Sequence, residues 1–182
     1  MSKLLRRAIK ISLWPSFIMI LAKLLGMVAV GLIYDLKFFV DNNINGIFSV
    51  QIYFTDFNTT LFVNSISNLV MLIALAIPTF YFIIKTSIYQ SSLQNPKTIV
   101  KITKLNILNW ITKKDTSFLL IFLWSSFLTL ASGIIVLQTI QGNCYTSIGI
   151  ISGVVSLLSI WGTIKTFELE TDNIYPRNNR YY

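Results

Sequence analysis

The sequence contains no histidine, a single cysteine and few charged residues, and each shortage excludes a class of protein. Without histidine the chain cannot build histidine metal sites, Ser-His-Asp or Cys-His catalytic groups, or histidine proton relays. The single cysteine, Cys144, leaves no intrachain disulfide. Charged residues make up only 12% of the 182 residues, whereas hydrophobic residues make up 54%. Because an ordinary soluble domain is about 25% charged, we expect a membrane protein. From the missing catalytic and ligand residues we expect no enzyme activity, cofactor or metal ion.

Long apolar stretches are abundant instead. A helix needs about 20 mostly apolar residues to cross roughly 30 Å of hydrocarbon, and helix is the state that satisfies the backbone in lipid. The stretches that meet this requirement are residues 11–34, 61–84, 118–140 and 145–167. The sequence therefore predicts an all-α integral membrane protein, a single domain of residues 1–182 with four transmembrane helices in an up-down bundle. The basic N-terminus is also compatible with a cleaved signal peptide, but the long apolar run interrupted by Lys23 favours a retained span.

Lysine and arginine are distributed unevenly among the connections. Thirteen of the 15 lie at the N-terminus, in the connection of residues 85–117 and around the C-terminal tail of residues 168–182. In the connection of residues 35–60, Lys37 is the only basic residue. The positive-inside rule therefore predicts both termini on the cytoplasmic or matrix side of a bacterial plasma membrane or an organelle inner membrane. The net charge of +8 then indicates orientation, and we expect no nucleic-acid partner.

The outer loop of residues 35–60 has the pattern of a short β-hairpin. Asn45-Gly46 is a turn signal, and apolar and polar residues alternate over residues 48–55, which is typical of a half-buried strand. Residues 36–40 are the predicted partner strand. Because a lone hairpin is marginally stable in water, we expect it to rest on the bundle as a lid or to offer an edge to a partner.

The basic inner loop of residues 85–117 contains Asn95-Pro96, a helix start signal. A helix to about Ile111 is predicted, either lying among lipid headgroups or docking a cytoplasmic partner. The acidic and aromatic residues after position 167 predict a short, frayed and solvated tail.

Lys23 is the residue with the clearest functional interest. It lies halfway along the first span, near the predicted midplane, and no Asp or Glu lies well inside any span. It can face the bundle interior and donate to hydroxyls and amides, be neutral because burial disfavours charge, or pair with an acid from another subunit. A lysine kept for structural reasons is the competing interpretation. The other candidate intramembrane functional residues are Thr129, Ser156 and Asn68.

The third and fourth spans are predicted to form an antiparallel hairpin, because only residues 141–144 separate them. Small residues on both spans allow close helix contact, and a polar solute path along the same faces is the alternative. The predicted packing residues are Gly149, Gly153, Ser125 and Gly133. Cys144, in the connection, is either a plain turn residue or the site of an intermolecular disulfide.

These patterns favour an accessory, assembly or interaction subunit that packs against other membrane proteins. Expected partners are membrane lipids, other membrane subunits or further copies of the chain. The alternative is a small oligomeric transporter or channel for an anionic or neutral solute with Lys23 near the path. A membrane enzyme is the weakest hypothesis, because no acid-base pair and no activated nucleophile is visible.

Overall fold

The computed structural model of the protein describes residues 3–37, 39–42, 50–53, 56–94, 100 and 118–174. Its elements, in chain order, are α1 (Lys3–Ile33), β1 (Phe39–Asn42), β2 (Val50–Tyr53), α2 (Phe57–Gln94), α3 (Phe118–Ile140) and α4 (Thr146–Ile174). All four of these helices are long and apolar enough to cross a membrane, so the prediction of four such helices is confirmed.

Three helices are longer than the apolar stretches that predicted them. α3 has the predicted bounds, whereas α1 begins in the basic N-terminal segment and α2 and α4 continue past the ends of their stretches. Hydropathy marks where a chain leaves hydrocarbon, but a helix continues through polar residues until proline or glycine stops it. Residues 168–174, predicted as frayed tail, are therefore helical. Asn173 ties them to α2, since its Nδ2 donates to the Oε1 of Gln90 at 2.6 Å.

Two short strands lie between α1 and α2. β1 and β2 pair antiparallel, with Phe39 opposite Tyr53 and Asn42 opposite Val50. The connecting residues 43–49, which hold the predicted turn, lie outside the described residues, so the hairpin loop stays a prediction. The helix predicted in the basic loop, apart from Val100, also lies outside them.

α2 and α3 are the two central helices, because α1 and α4 each pack against both of them. The core between the helices contains both apolar and polar side chains. Its largest enclosed apolar side chains are Leu72, Leu75, Ile121, Leu128 and Ile135, and the enclosed polar ones include Asn68, Thr79 and Thr166. In a lipid environment such contacts stabilise the bundle by van der Waals packing rather than by leaving water. The outward faces of α1 and α4 are apolar and exposed, as a lipid-facing or partner-facing surface requires.

The turn between α3 and α4 has a defined geometry that positions one backbone carbonyl. Gly142 adopts φ of 75°, a left-handed conformation that glycine reaches without strain. The N–H of Asn143 donates to the carbonyl of Gln138 at 2.8 Å, and the N–H of Gly142 donates to the carbonyl of Thr139 at 3.1 Å. These two bonds are the Schellman pattern, which closes the end of α3 and leaves the Asn143 carbonyl available. We call this end of the bundle the turn end.

Candidate functional site

Lys23 lies on the face of α1 that packs against α2, and side chains of α2 hold its ammonium group. Gly26, one turn further along, brings the two helices together, since a Cβ there would stand 2.8 Å from the Cα of Ser67. At this separation the Nζ of Lys23 donates to the Oδ1 of Asn64 at 2.6 Å and to the Oδ1 of Asn68. The backbone carbonyl of Asn64 is a third, longer acceptor at 3.4 Å. Each ammonium proton therefore has an acceptor.

An ammonium group only donates, so it orients the amides around it. Both asparagine oxygens face Lys23, and both Nδ2 groups therefore face the next acceptor, the Oε1 of Gln138 on α3. The Nδ2 of Asn68 donates to it at 2.6 Å, and the Nδ2 of Asn64 at 3.3 Å. Asn64 also donates to the Asn143 carbonyl of the turn at 2.6 Å. We call this group of side chains the Lys23 cluster; its members are Lys23, Asn64, Asn68 and Gln138. The cluster joins α1, α2, α3 and the turn.

Cys144 lies beside the Lys23 cluster and points inward. Its side chain is 4% exposed, and its Sγ is 3.6 Å from both the Oγ of Ser65 and the Nδ2 of Asn68. The Ser65 hydroxyl in turn accepts from the N–H of Tyr145 at 2.9 Å. The cysteine is free, and its burial favours the plain turn residue over the alternative of an intermolecular disulfide, because oxidation requires access to a second thiol.

The ammonium of Lys23 lies toward the turn end, which corrects the predicted position at midplane depth. Lys23 is on α1 roughly 15 Å from the helix end, but its long side chain extends toward the turn. Its acceptors are amides of α2, one of the two kinds of interior group to which it was expected to donate. Among the described residues, no carboxylate lies within 4 Å of the ammonium.

Sequence reasoning selected Asn68 but overlooked Gln138 and gave Asn64 little weight. A signal for these residues exists in the sequence. Asn64 and Asn68 are four residues apart and therefore share one face of α2. Gln138 is the one carboxamide in α3 and lies near the end of this mostly apolar helix. Polar side chains inside apolar spans usually find one another, because an unpaired amide in hydrocarbon is costly.

Thr129 and Ser156 are not part of the Lys23 cluster. Thr129 lines a groove of about 660 Å³ between α3 and α4, together with apolar side chains such as Phe122 and Ile160. Ser156 is buried on α4. Of the three residues selected beside Lys23, only Asn68 contacts it.

The four predicted packing residues divide into two groups. A Cβ on Gly149 would stand 2.5 Å from the Oγ1 of Thr139, so α3 and α4 approach closely there. The hydroxyl of Ser125 is hydrogen-bonded to that of Ser159 at 2.8 Å, again between α3 and α4. Gly133 and Gly153, in contrast, have open space where a Cβ would stand, so neither marks a close helix contact.

The Lys23 cluster can hold a positive charge and donate hydrogen bonds. In the part of the chain that the structure describes, no group of three cysteine, aspartate or glutamate side chains could hold a metal ion. Neither a protein-family model nor a curated protein nor a solved structure matches this chain.

Proposed function

We propose that the protein is a polytopic membrane protein that acts as an accessory, assembly or interaction subunit and packs against other membrane proteins. In this proposal the four helices cross the membrane up and down, and both termini lie on the cytoplasmic or matrix side. The protein has no catalytic role, and its partners are membrane lipids and other membrane subunits or further copies of itself.

The observation that carries the proposal is the apolar core below the Lys23 cluster. This core extends from Ala22, the neighbour of Lys23 in sequence, through Leu72 and Leu75 to Leu128, and the three leucines are at most 2% exposed. A polar solute that left the amides of the cluster would next meet these closely packed leucine side chains. Such a barrier supports an interaction role over transport through a single chain.

The exposed faces of the outer helices also support the proposal. Leu25 on α1 is 56% exposed, and Leu157 on α4 is 68% exposed. These helices are on opposite sides of the central pair, so the bundle offers two separate apolar faces to neighbours. In lipid, such faces can associate with neighbouring helices through van der Waals packing, which does not depend on the release of water.

The decisive experiment is purification of the full chain in mild detergent, followed by mass spectrometry of the intact assembly. We expect a stoichiometric partner protein. A matched pair of substitutions tests the two faces, Leu25→Ala on α1 and Leu157→Ala on α4. One of them should weaken the assembly while the midpoint of thermal unfolding stays unchanged. A pure homo-oligomer that passes solutes in liposomes would instead support the transporter hypothesis and contradict the proposal.

Orientation has its own test. Reporter domains fused after Asn43 and after Tyr182 should report opposite sides of the membrane. The same side for both fusions would contradict the up-down arrangement.

A further inference from the structure

The side-chain nitrogen of Gln138 has no acceptor among the residues that the structure describes. Its Oε1 accepts from both asparagines of the Lys23 cluster, so the carboxamide cannot turn over without placing N–H groups against N–H groups. Within the described residues, its Nε2 makes no hydrogen bond. The ammonium of Lys23 thus dictates the direction of the whole network, and the network ends in two free N–H groups.

These N–H groups carry part of the positive character of Lys23. Hydrogen bonds in series polarise one another, so an amide that accepts from a chain starting at an ammonium becomes a stronger donor at its far end. No carboxylate among the described residues balances the charge. The end of the network therefore favours an anionic acceptor over a neutral one.

The nitrogen is also reachable from outside the bundle. In the described part of the chain, the hydroxyls of Thr86 and Ser132 are enclosed and lack a hydrogen-bond partner. The Nε2 of Gln138 is not one of these enclosed atoms, and the residue itself is half-buried. Gln138 is three residues before the α3–α4 turn, within about 5 Å of it along the helix axis. In a membrane-embedded bundle this is the depth of lipid headgroups rather than of acyl chains.

We propose that the side-chain amide of Gln138, polarised by Lys23 through Asn64 and Asn68, forms a binding site for a phosphate oxyanion at the turn end of the bundle. The phosphate of a phospholipid headgroup and free phosphate share this chemistry. The site goes beyond the interaction role proposed above, since it does not require a protein partner.

The test uses the purified full chain in neutral detergent micelles and two probes. Phosphatidylglycerol and diacylglycerol with the same acyl chains are titrated separately and followed by native mass spectrometry, and inorganic phosphate is titrated by calorimetry. We expect phosphatidylglycerol to bind at least about tenfold more tightly than diacylglycerol, because it gains charge-assisted hydrogen bonds. If inorganic phosphate binds, the free ion is enough to occupy the site. If phosphatidylglycerol binds and inorganic phosphate does not, the site takes its phosphate from a lipid headgroup. Equal binding of the two lipids without phosphate binding would overturn the proposal.

A substitution at the donor itself sharpens the test. Gln138→Glu keeps the oxygen that Asn64 and Asn68 need but replaces the free donor by a negative acceptor. We expect it to lose at least about tenfold in phosphatidylglycerol affinity without a lower midpoint of thermal unfolding. Gln141→Glu is the matched control, since it makes the same change in the exposed turn outside the cluster. Equal losses in both variants, or none in Gln138→Glu, would refute a site at Gln138.

A measurement on the unsubstituted protein keeps the test independent of folding. The side-chain amide resonance of Gln138 should shift when phosphatidylglycerol is added and stay unchanged with diacylglycerol. A resonance that responds to neither lipid would also overturn the proposal.

Discussion

Replacement of Lys23 by methionine tests whether the Lys23 cluster stabilises the fold. Lys23→Met keeps an unbranched side chain of similar length but removes the ammonium. The Oδ1 atoms of Asn64 and Asn68 then lose their donor, although Asn68 is only 1% exposed and cannot turn to water. Unpaired acceptors in such surroundings destabilise the folded state, because the unfolded chain can solvate them.

The magnitude follows from two opposing effects. Two hydrogen bonds to a charged group contribute about 1.5–3 kcal/mol each. Against them stands the cost of placing a lysine in the membrane, about 2.5–3.5 kcal/mol at the midplane and less toward the turn end, where this ammonium lies. The bonds exceed the cost, so we expect Lys23→Met to lower the free energy of unfolding by about 1–3 kcal/mol.

The assay is reversible denaturation in mixed micelles, followed by circular dichroism. Lys10→Met is the control, since Lys10 is exposed on the same helix and its loss should change the free energy by less than about 0.5 kcal/mol. In the double variant with Asn68→Leu, donor and acceptor disappear together, so the two effects should be less than additive by about 1 kcal/mol or more. An unchanged or higher stability of Lys23→Met, or strict additivity, would refute the reasoning.

Three further predictions concern the turn end. Gly149→Val should weaken the contact of α3 with α4 and lower the thermal midpoint, because its Cβ would overlap Thr139, whereas Gly153→Val, where space is open, should leave the midpoint nearly unchanged. Gly142→Ala should cost about 1–2 kcal/mol in the same denaturation assay, since the turn holds φ at 75°; a neutral effect would show that the turn relaxes easily. Cys144 should react slowly with a maleimide in the folded protein and quickly after denaturation, because its thiol is 4% exposed; rapid labelling of the folded protein would contradict the inward orientation.

Much of the fold could be predicted because a membrane helix is a local property. The bounds of α3 follow directly from a mostly apolar run of 23 residues that contains no charged side chain. The further extent of α2 and α4 was missed, since polar residues beyond the apolar stretch are equally compatible with helix or coil. Tertiary contacts decide the outcome there, as the bond from Asn173 to Gln90 illustrates.

The candidate site was predictable only in part. Lys23 attracted attention because it interrupts an apolar span without an internal acid. Donation to interior amides was one of the alternatives, but the sequence could not choose among them. Span positions give the depth of a Cα but neither the direction of a long side chain nor the rotation of each helix about its axis. Gly133 and Gly153 show the same limit, since small residues permit close contact without specifying which face meets a neighbour.

By itself, the sequence determined that the chain forms four helices fit to cross a membrane, because length and apolarity act within each segment. Only the tertiary structure decided that Lys23 meets Asn64 and Asn68, that their network ends at Gln138, and that Cys144 points inward. The physical reason is that hydrogen bonds extend over a few ångströms and depend on direction. Residues 41 or more positions apart in the chain satisfy these requirements only after the helices have packed.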